Sequence, residues 1–119
     1  MKVLDRILAT ILVLGGLGHA TGSYLGYRHE PLTLLWALSA SLFSLLVAAV
    51  NLLRSGRPGD RPLAWIAFAG SLALAISAFT FGVLIGNAFD VRALVNGLTA
   101  LALAGFSLGT ALRTREQQA

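Results

Sequence analysis

Four long stretches without a charged residue constrain this chain more than any other feature of its sequence. All nine Lys and Arg and all five Asp and Glu residues lie outside residues 7–26, 32–53, 63–86 and 93–112. As helices, these stretches of 20 to 24 residues would measure about 30 to 36 Å, which matches the hydrocarbon core of a bilayer. We therefore predict an all-α fold in which a single domain, residues 1–119, crosses the membrane four times as a four-helix bundle with short hairpin loops.

Composition excludes several other classes of protein. Hydrophobic residues make up 56% of the chain and charged residues 12%, which is unlike a soluble globular domain. The net charge of +4 comes from basic residues scattered among short loops, so we expect the lipid bilayer and not nucleic acid as the partner. Because the chain has no cysteine, disulfides and thiolate metal sites are excluded.

The basic residues also predict an orientation. Only Arg28 and Arg92 follow the first and third stretches, whereas seven others flank the opposite ends: Lys2, Arg6, Arg54, Arg57, Arg61, Arg113 and Arg115. By the positive-inside rule both termini are cytoplasmic, and we expect a multi-pass protein of a bacterial inner membrane. Lys2 and Arg6 before an apolar run are also typical of a signal peptide, but the run is long enough for a full span, so we interpret it as a retained helix.

Glycines mark the faces that we expect to pack against other helices. On the first helix Gly15, Gly18, Gly22 and Gly26 fall within an arc of about 80°, a face of almost bare backbone that lets a neighbouring helix approach closely. Gly82 and Gly86 continue a seam on the third helix, and Gly105 and Gly109 form a GxxxG pair on the fourth. On the opposite side of the fourth helix, Asn96, Thr99, Ser107 and Thr110 align within about 80°. This helix therefore has two faces to bury, which predicts a homo-oligomer or a membrane-protein partner.

Two longer stripes of small residues are expected to face protein instead of lipid. The second helix carries Thr33, Ala37, Ala40, Ser41, Ser44, Ala48 and Asn51 within about 100°. The third carries Ala64, Ala67, Ser71, Ala75, Ala78, Gly82 and Gly86 at steps of three and four. We predict that Asn51 and Asn96 cross-link helices by hydrogen bonds.

His19 is the one histidine inside a predicted span, and these spans contain no Asp, Glu, Lys or Arg. It lies at the edge of the glycine face, and Ser23, one turn further along, can share its hydrogen bonds. An intramembrane ionisable residue needs a reason, which is either a functional site or a hydrogen bond to a neighbouring helix. At comparable depths on the other helices we expect further polar side chains, so the candidate polar pocket is His19, Ser23, Ser39, Ser77, Thr80, Asn96 and Thr99.

The connections carry weaker signals. Pro31 suits the first turn of the second helix, and Asp90 suits the N-cap of the fourth. The loop after the second span contains Arg54, Arg57 and Arg61 among turn formers, which favours a headgroup anchor, with docking of a partner as the alternative.

Enzyme signatures are missing from the sequence. It has no paired carboxylates at membrane depth and no nucleophile beside a base, so we expect no catalysis, no metal and no cofactor. The leading hypothesis is a structural or accessory membrane protein that acts through self-association or a partner. The alternatives are a carrier or channel for a small solute or protons around His19, and a subunit that binds haem or quinone; the identity of any small-molecule ligand stays open.

Overall fold

The computed structural model describes residues 2–116, with side chains through residue 113, and in that range every regular element is an α-helix. The four helices are α1 (Lys2–Tyr27), α2 (Pro31–Gly56), α3 (Arg61–Leu84) and α4 (Val91–Glu116). Each is long and apolar enough to cross a membrane. The predicted all-α bundle and its multi-pass character are thus confirmed, although the helices extend beyond the charge-free stretches at most ends. The side chain of Arg115, one of the seven basic residues used to predict orientation, is outside those described.

The ends of the helices follow from local chemistry. α2 begins at Pro31, where a missing N–H costs nothing, and the side chain of Asp60 caps α3 by accepting a hydrogen bond from Leu63 N. α3 ends in a Schellman motif, in which Gly86 N bonds to Val83 O and Asn87 N to Gly82 O. Gly86 has φ of 75°, a left-handed conformation that favours glycine. Gly86, which the sequence analysis assigns to helix packing, therefore ends α3 instead of extending its seam.

The bundle is made of two helical hairpins. α1 packs most extensively on α2 and α3 on α4, while narrower contacts of α1 with α4 and of α2 with α3 close the ring. Both hairpin turns, residues 28–30 and 85–90, lie at one end, called the hairpin end below. The first residues of α1, the loop 57–60 and the last residues of α4 lie at the other, the terminal end.

Small residues form most of the helix contacts. On α4 the buried positions 93, 97, 100, 104, 107 and 111 are Ala, Gly or Ser and follow steps of four and three, the spacing of left-handed helix packing. On α3 the structure buries five members of the predicted seam: Ala64, Ala67, Ser71, Ala75 and Gly82. Leu12, Leu74 and Leu103 fill the centre, and the other large apolar side chains mostly face outward. This arrangement is the inverse of a soluble bundle and suits lipid surroundings.

Candidate functional site

His19 lies in a small polar cluster between α1 and α2. Its Nδ1 is 2.8 Å from Ser41 Oγ and 3.4 Å from Ser23 Oγ. Ser41 Oγ also donates to Ala37 O at 3.2 Å, so its lone pairs are available to accept a hydrogen bond from a protonated His19 Nδ1. Ser23 and Ser41 are buried, whereas the His19 side chain is exposed.

The rest of the predicted pocket is dispersed. Ser39 and Ser77 are exposed and donate to carbonyls of their own helices, those of Leu35 and Ala73. Asn96 Nδ2 likewise donates to Arg92 O, while its side chain packs beside Gly15. Thr80 is exposed on α3, and Thr99 is buried on α4. Among the described residues, Ser23 and Ser41 are the partners that hydrogen-bond to His19, so the structure adds Ser41 to the site.

A second polar cluster, which the sequence analysis missed, lies at the terminal end and is far better enclosed. Arg54 is 2% exposed. Its Nη2 donates to the carboxylate of Asp5, its Nη1 donates to Thr110 Oγ1 at 3.1 Å, and Asn51 Oδ1 lies 3.4 Å from both Nε and Nη2. These contacts give a buried guanidinium both a counter-charge and hydrogen-bond acceptors, which it needs away from water.

Asn51 is the centre of this cluster and is completely buried. Its Nδ2 donates to Val47 O at 2.9 Å and to Ser71 Oγ at 2.8 Å, and its Oδ1 accepts from Ser107 Oγ at 3.1 Å. Asn51 thereby joins α2 to α3 and α4, and Arg54 adds α1. Asn51 cross-links helices as predicted, whereas the side-chain bond of Asn96 stays within its own helix. We call Asp5, Asn51, Arg54, Ser71, Ser107 and Thr110 the polar cluster.

The prediction that Arg54 belongs to a headgroup or docking loop with Arg57 and Arg61 is wrong. The structure extends α2 to Gly56 and buries Arg54 against Asp5. Its guanidinium is therefore committed inside the protein, while Arg57 is exposed and Arg61 half-buried. The available signal was spacing: Arg54 and Ser55 follow Asn51 by three and four residues, so they continue the small polar stripe of α2.

The glycines divide into packed and open ones. A Cβ on Gly15 would lie 2.6 Å from Asn96 Oδ1, and one on Gly16 would lie 3.1 Å from the Leu45 side chain. Gly82 packs as closely against Ala93 Cβ, at 3.1 Å. In contrast, an added Cβ would meet nothing within 4 Å at six of the predicted packing glycines: Gly18, Gly22, Gly26, Gly86, Gly105 and Gly109. Within this chain, therefore, the glycine face of α1 is covered at Gly15 and open in its hairpin half.

Arg92 and Asp90 form a local ion pair at the hairpin end. Arg92 donates from Nε to Asp90 Oδ1 and from Nη2 to Asp90 Oδ2, both at 3.0 Å. Asp90 also caps α4, as predicted, by accepting from Arg92 N at 2.9 Å. The bonds from the Arg92 side chain, aided by those from backbone N–H groups, hold the pKa of Asp90 below its ordinary value.

The two clusters differ in what they can do chemically. The polar cluster is mostly buried, and the described part of the structure leaves no buried side-chain nitrogen or oxygen without a hydrogen bond. The described residues also contain no group of three His, Cys, Asp or Glu side chains that could hold a metal ion. In the His19 cluster, by contrast, Nδ1 is hydrogen-bonded and the imidazole ring is exposed.

The chain matches no protein-family model, and comparisons with curated proteins and with solved structures give no significant match.

Proposed function

We propose that this protein is a structural membrane protein that acts by self-association, through the open part of the α1 glycine face. The observation that carries the proposal is the contrast along one helix: Gly15 is packed against a neighbour, whereas Gly18, Gly22 and Gly26 meet nothing. In lipid, helices associate where small residues let their backbones approach. Three glycines at steps of four on an uncovered face provide such a surface.

A second copy fits this face better than the other open glycines of the same chain. Gly22 lies about 8 Å from the hairpin end of α1, whereas Gly105 lies about 21 Å from the hairpin end of α4. In copies inserted the same way, the α1 and α4 glycines therefore stand at different depths. A two-fold axis along the membrane normal instead brings α1 against α1 with identical residues at identical depth, which makes the contact self-complementary.

The polar cluster supports a structural role in preference to transport. Its members are hydrogen-bonded to one another across all four helices and carry no unpaired charge. Such a cluster fixes the register of the helices and holds the α1 surface as a rigid platform. A carrier would need polar groups that exchange partners during transport, and the sequence-predicted set does not converge on His19.

Cysteine crosslinking tests the proposal directly, because the chain contains no cysteine of its own. With Gly22→Cys as the sole cysteine, mild oxidation in native membranes is expected to give a covalent dimer. Tyr24→Cys is the matched control: Tyr24 is also exposed on α1, two residues away, and therefore lies about 200° around the helix. Equal crosslinking at both positions, or none at Gly22, would overturn the proposal.

Enlarging the glycines gives an independent test. We expect Gly22→Leu to shift the protein from dimer to monomer in mild detergent, measured by light scattering or native mass spectrometry. Gly105→Leu, at an open glycine of α4, should leave the dimer intact. A wild-type protein that is monomeric in both detergent and membranes would exclude self-association.

Ligand binding around His19 is the second candidate function, favoured by the geometry of the ring. In the tautomer with the proton on Nδ1, which Ser41 Oγ can accept, Nε2 carries the lone pair that a metal-centred cofactor such as haem, or a hydrogen-bond donor, would use. A purified protein with visible absorbance, or with a co-purifying quinone, that is lost in His19→Ala and retained in His29→Ala would support this role. Colourless protein without a co-purifying ligand would exclude it.

A further inference from the structure

The terminal end carries several basic side chains that no described carboxylate pairs with. Of its acidic side chains within the described range, Asp5 is paired with Arg54 and Asp60 caps α3. Five basic side chains at this end, all exposed or half-buried, have no salt bridge to a described residue: Lys2, Arg6, Arg57, Arg61 and Arg113. An anionic membrane surface is the natural complement of these basic side chains.

One of these side chains stands beside a groove. A shallow groove of about 420 Å³ on the surface of α1 is lined by Val3, Arg6, Ile7, Thr10 and Ile11. Ile11 follows Val3 by eight residues, so the groove extends about 12 Å along the helix from the charged end toward the apolar middle. The groove therefore combines the charged side chain of Arg6 with a mainly apolar surface that runs in the direction of the lipid chains.

The guanidinium of Arg6 is positioned by a neighbouring helix. Its Nε donates to Ser55 Oγ at 3.4 Å, and Ser55 in turn donates to Leu52 O at 2.8 Å. No hydrogen bond from the two Nη atoms of Arg6 reaches another described residue. Two parallel N–H donors of this kind match the oxygens of a phosphate group.

We propose that this groove is a binding site for an anionic phospholipid. Arg6 binds the phosphate, Lys2 adds charge at the headgroup level, and Ile7 and Ile11 contact the upper part of an acyl chain. The apolar lining distinguishes this ligand from free phosphate, which would gain nothing from the isoleucines. The site is independent of self-association, because the open glycines lie in the opposite half of α1.

Native mass spectrometry of the delipidated protein tests the site. We would titrate phosphatidylglycerol, phosphatidylcholine with the same acyl chains, and inorganic phosphate. Phosphatidylglycerol is expected to bind preferentially, and inorganic phosphate not to bind. Arg6→Gln should weaken phosphatidylglycerol binding by about fivefold, the factor expected for one basic side chain at an anionic surface.

Arg57→Gln is the matched control, because it removes the same charge from the same end but lies outside the groove. We expect it to change the affinity by less than about twofold. Ile7→Trp, which fills the groove at an exposed position, should weaken binding while Arg6 is still present. Equal losses for Arg6→Gln and Arg57→Gln, equal binding of the two lipids, or equally tight binding of inorganic phosphate would each overturn the proposal.

Discussion

Arg54 on α2 and Asp5 on α1 form an ion pair inside the bundle, with the Arg54 side chain 2% exposed and that of Asp5 9% exposed. The two residues are 49 positions apart, and their contact ties the start of α1 to the end of α2. Removing charges from water is costly, and the pair is tolerated because Asn51 and Thr110 satisfy further donors of the guanidinium.

Breaking this pair from one side should destabilise the protein strongly. Asp5→Ala leaves the Arg54 guanidinium buried without its counter-charge, so we expect the free energy of unfolding to fall by about 3 to 5 kcal/mol. The measurement is a denaturant titration in detergent micelles. The double variant Asp5→Leu with Arg54→Met removes both charges and should recover most of the loss, because a well-packed apolar pair replaces the ion pair. Wild-type stability in Asp5→Ala would show that the pair is not formed in the folded protein.

Asn51 should contribute more to stability than any other uncharged polar side chain that the structure describes. Asn51→Ala leaves Ser71, Ser107 and Arg54 without a shared partner, and we expect a loss of about 1 to 3 kcal/mol. Ser71→Ala removes a single interhelical bond and should cost about 0.6 kcal/mol. Asn96→Ala is the matched control, since the Asn96 amide bonds only to its own helix at Arg92 O among the described residues. Similar losses in Asn51→Ala and Asn96→Ala would contradict the assignment of Asn51 as the cross-link.

The sequence predicts the fold because the thickness of the bilayer leaves few choices. Four charge-free stretches of spanning length must become helices, since their backbone polar groups have no other partners in lipid. Spacing predicts much of the buried face as well, most fully on α3, where Ser71 and Gly82 lie within the predicted seam. The starts of α2 and α4 were predicted at Pro31 and Asp90, because a single residue determines each of them.

Contacts between helices depend on rotation and register, which one helix does not determine alone. Arg54 belongs by composition to a basic loop, and it becomes an interior residue only because Asp5 of another helix stands opposite it. His19 forms a hydrogen bond with Ser41 because α1 turns that edge toward α2. Asn96 of α4 instead contacts α1 at Gly15, one turn further from the hairpin end. A face such as that of Gly18 and Gly22 can meet a neighbour or be left open, and the sequence pattern is the same in both cases.

A side chain at Gly97 should destabilise the protein, although the sequence pattern does not single this glycine out. A Cβ at this position would lie 2.7 Å from Phe79 Cε1 and 2.8 Å from Phe79 Cζ. The ring is rigid and packs against the core, so we expect Gly97→Ala to cost about 1 to 3 kcal/mol. Gly105→Ala, on the same helix but with open space around it, should be neutral or slightly stabilising. Combining Gly97→Ala with Phe79→Leu should restore part of the loss; equal effects of the two glycine variants would contradict the close packing of α3 on α4.

Asp90 should make the stability of the protein depend on pH in the acid range. Its pKa in the folded state lies below the ordinary value of 3.8, because the Arg92 side chain and the first N–H groups of α4 favour the carboxylate. A lowered folded-state pKa contributes stability that is complete above the unfolded-state pKa and is lost as the pH falls through the folded-state pKa.

Asp90→Asn keeps an oxygen to cap the helix but removes the charge. At neutral pH we therefore expect the wild type to unfold at a higher temperature than Asp90→Asn, with a difference that shrinks once the pH falls below 3.8. Thermal unfolding followed by circular dichroism across this range measures the difference, and Arg92→Gln should reduce it because the main cause of the shift is gone. A difference that stays constant down to the lowest pH would show that charge at Asp90 does not stabilise the fold.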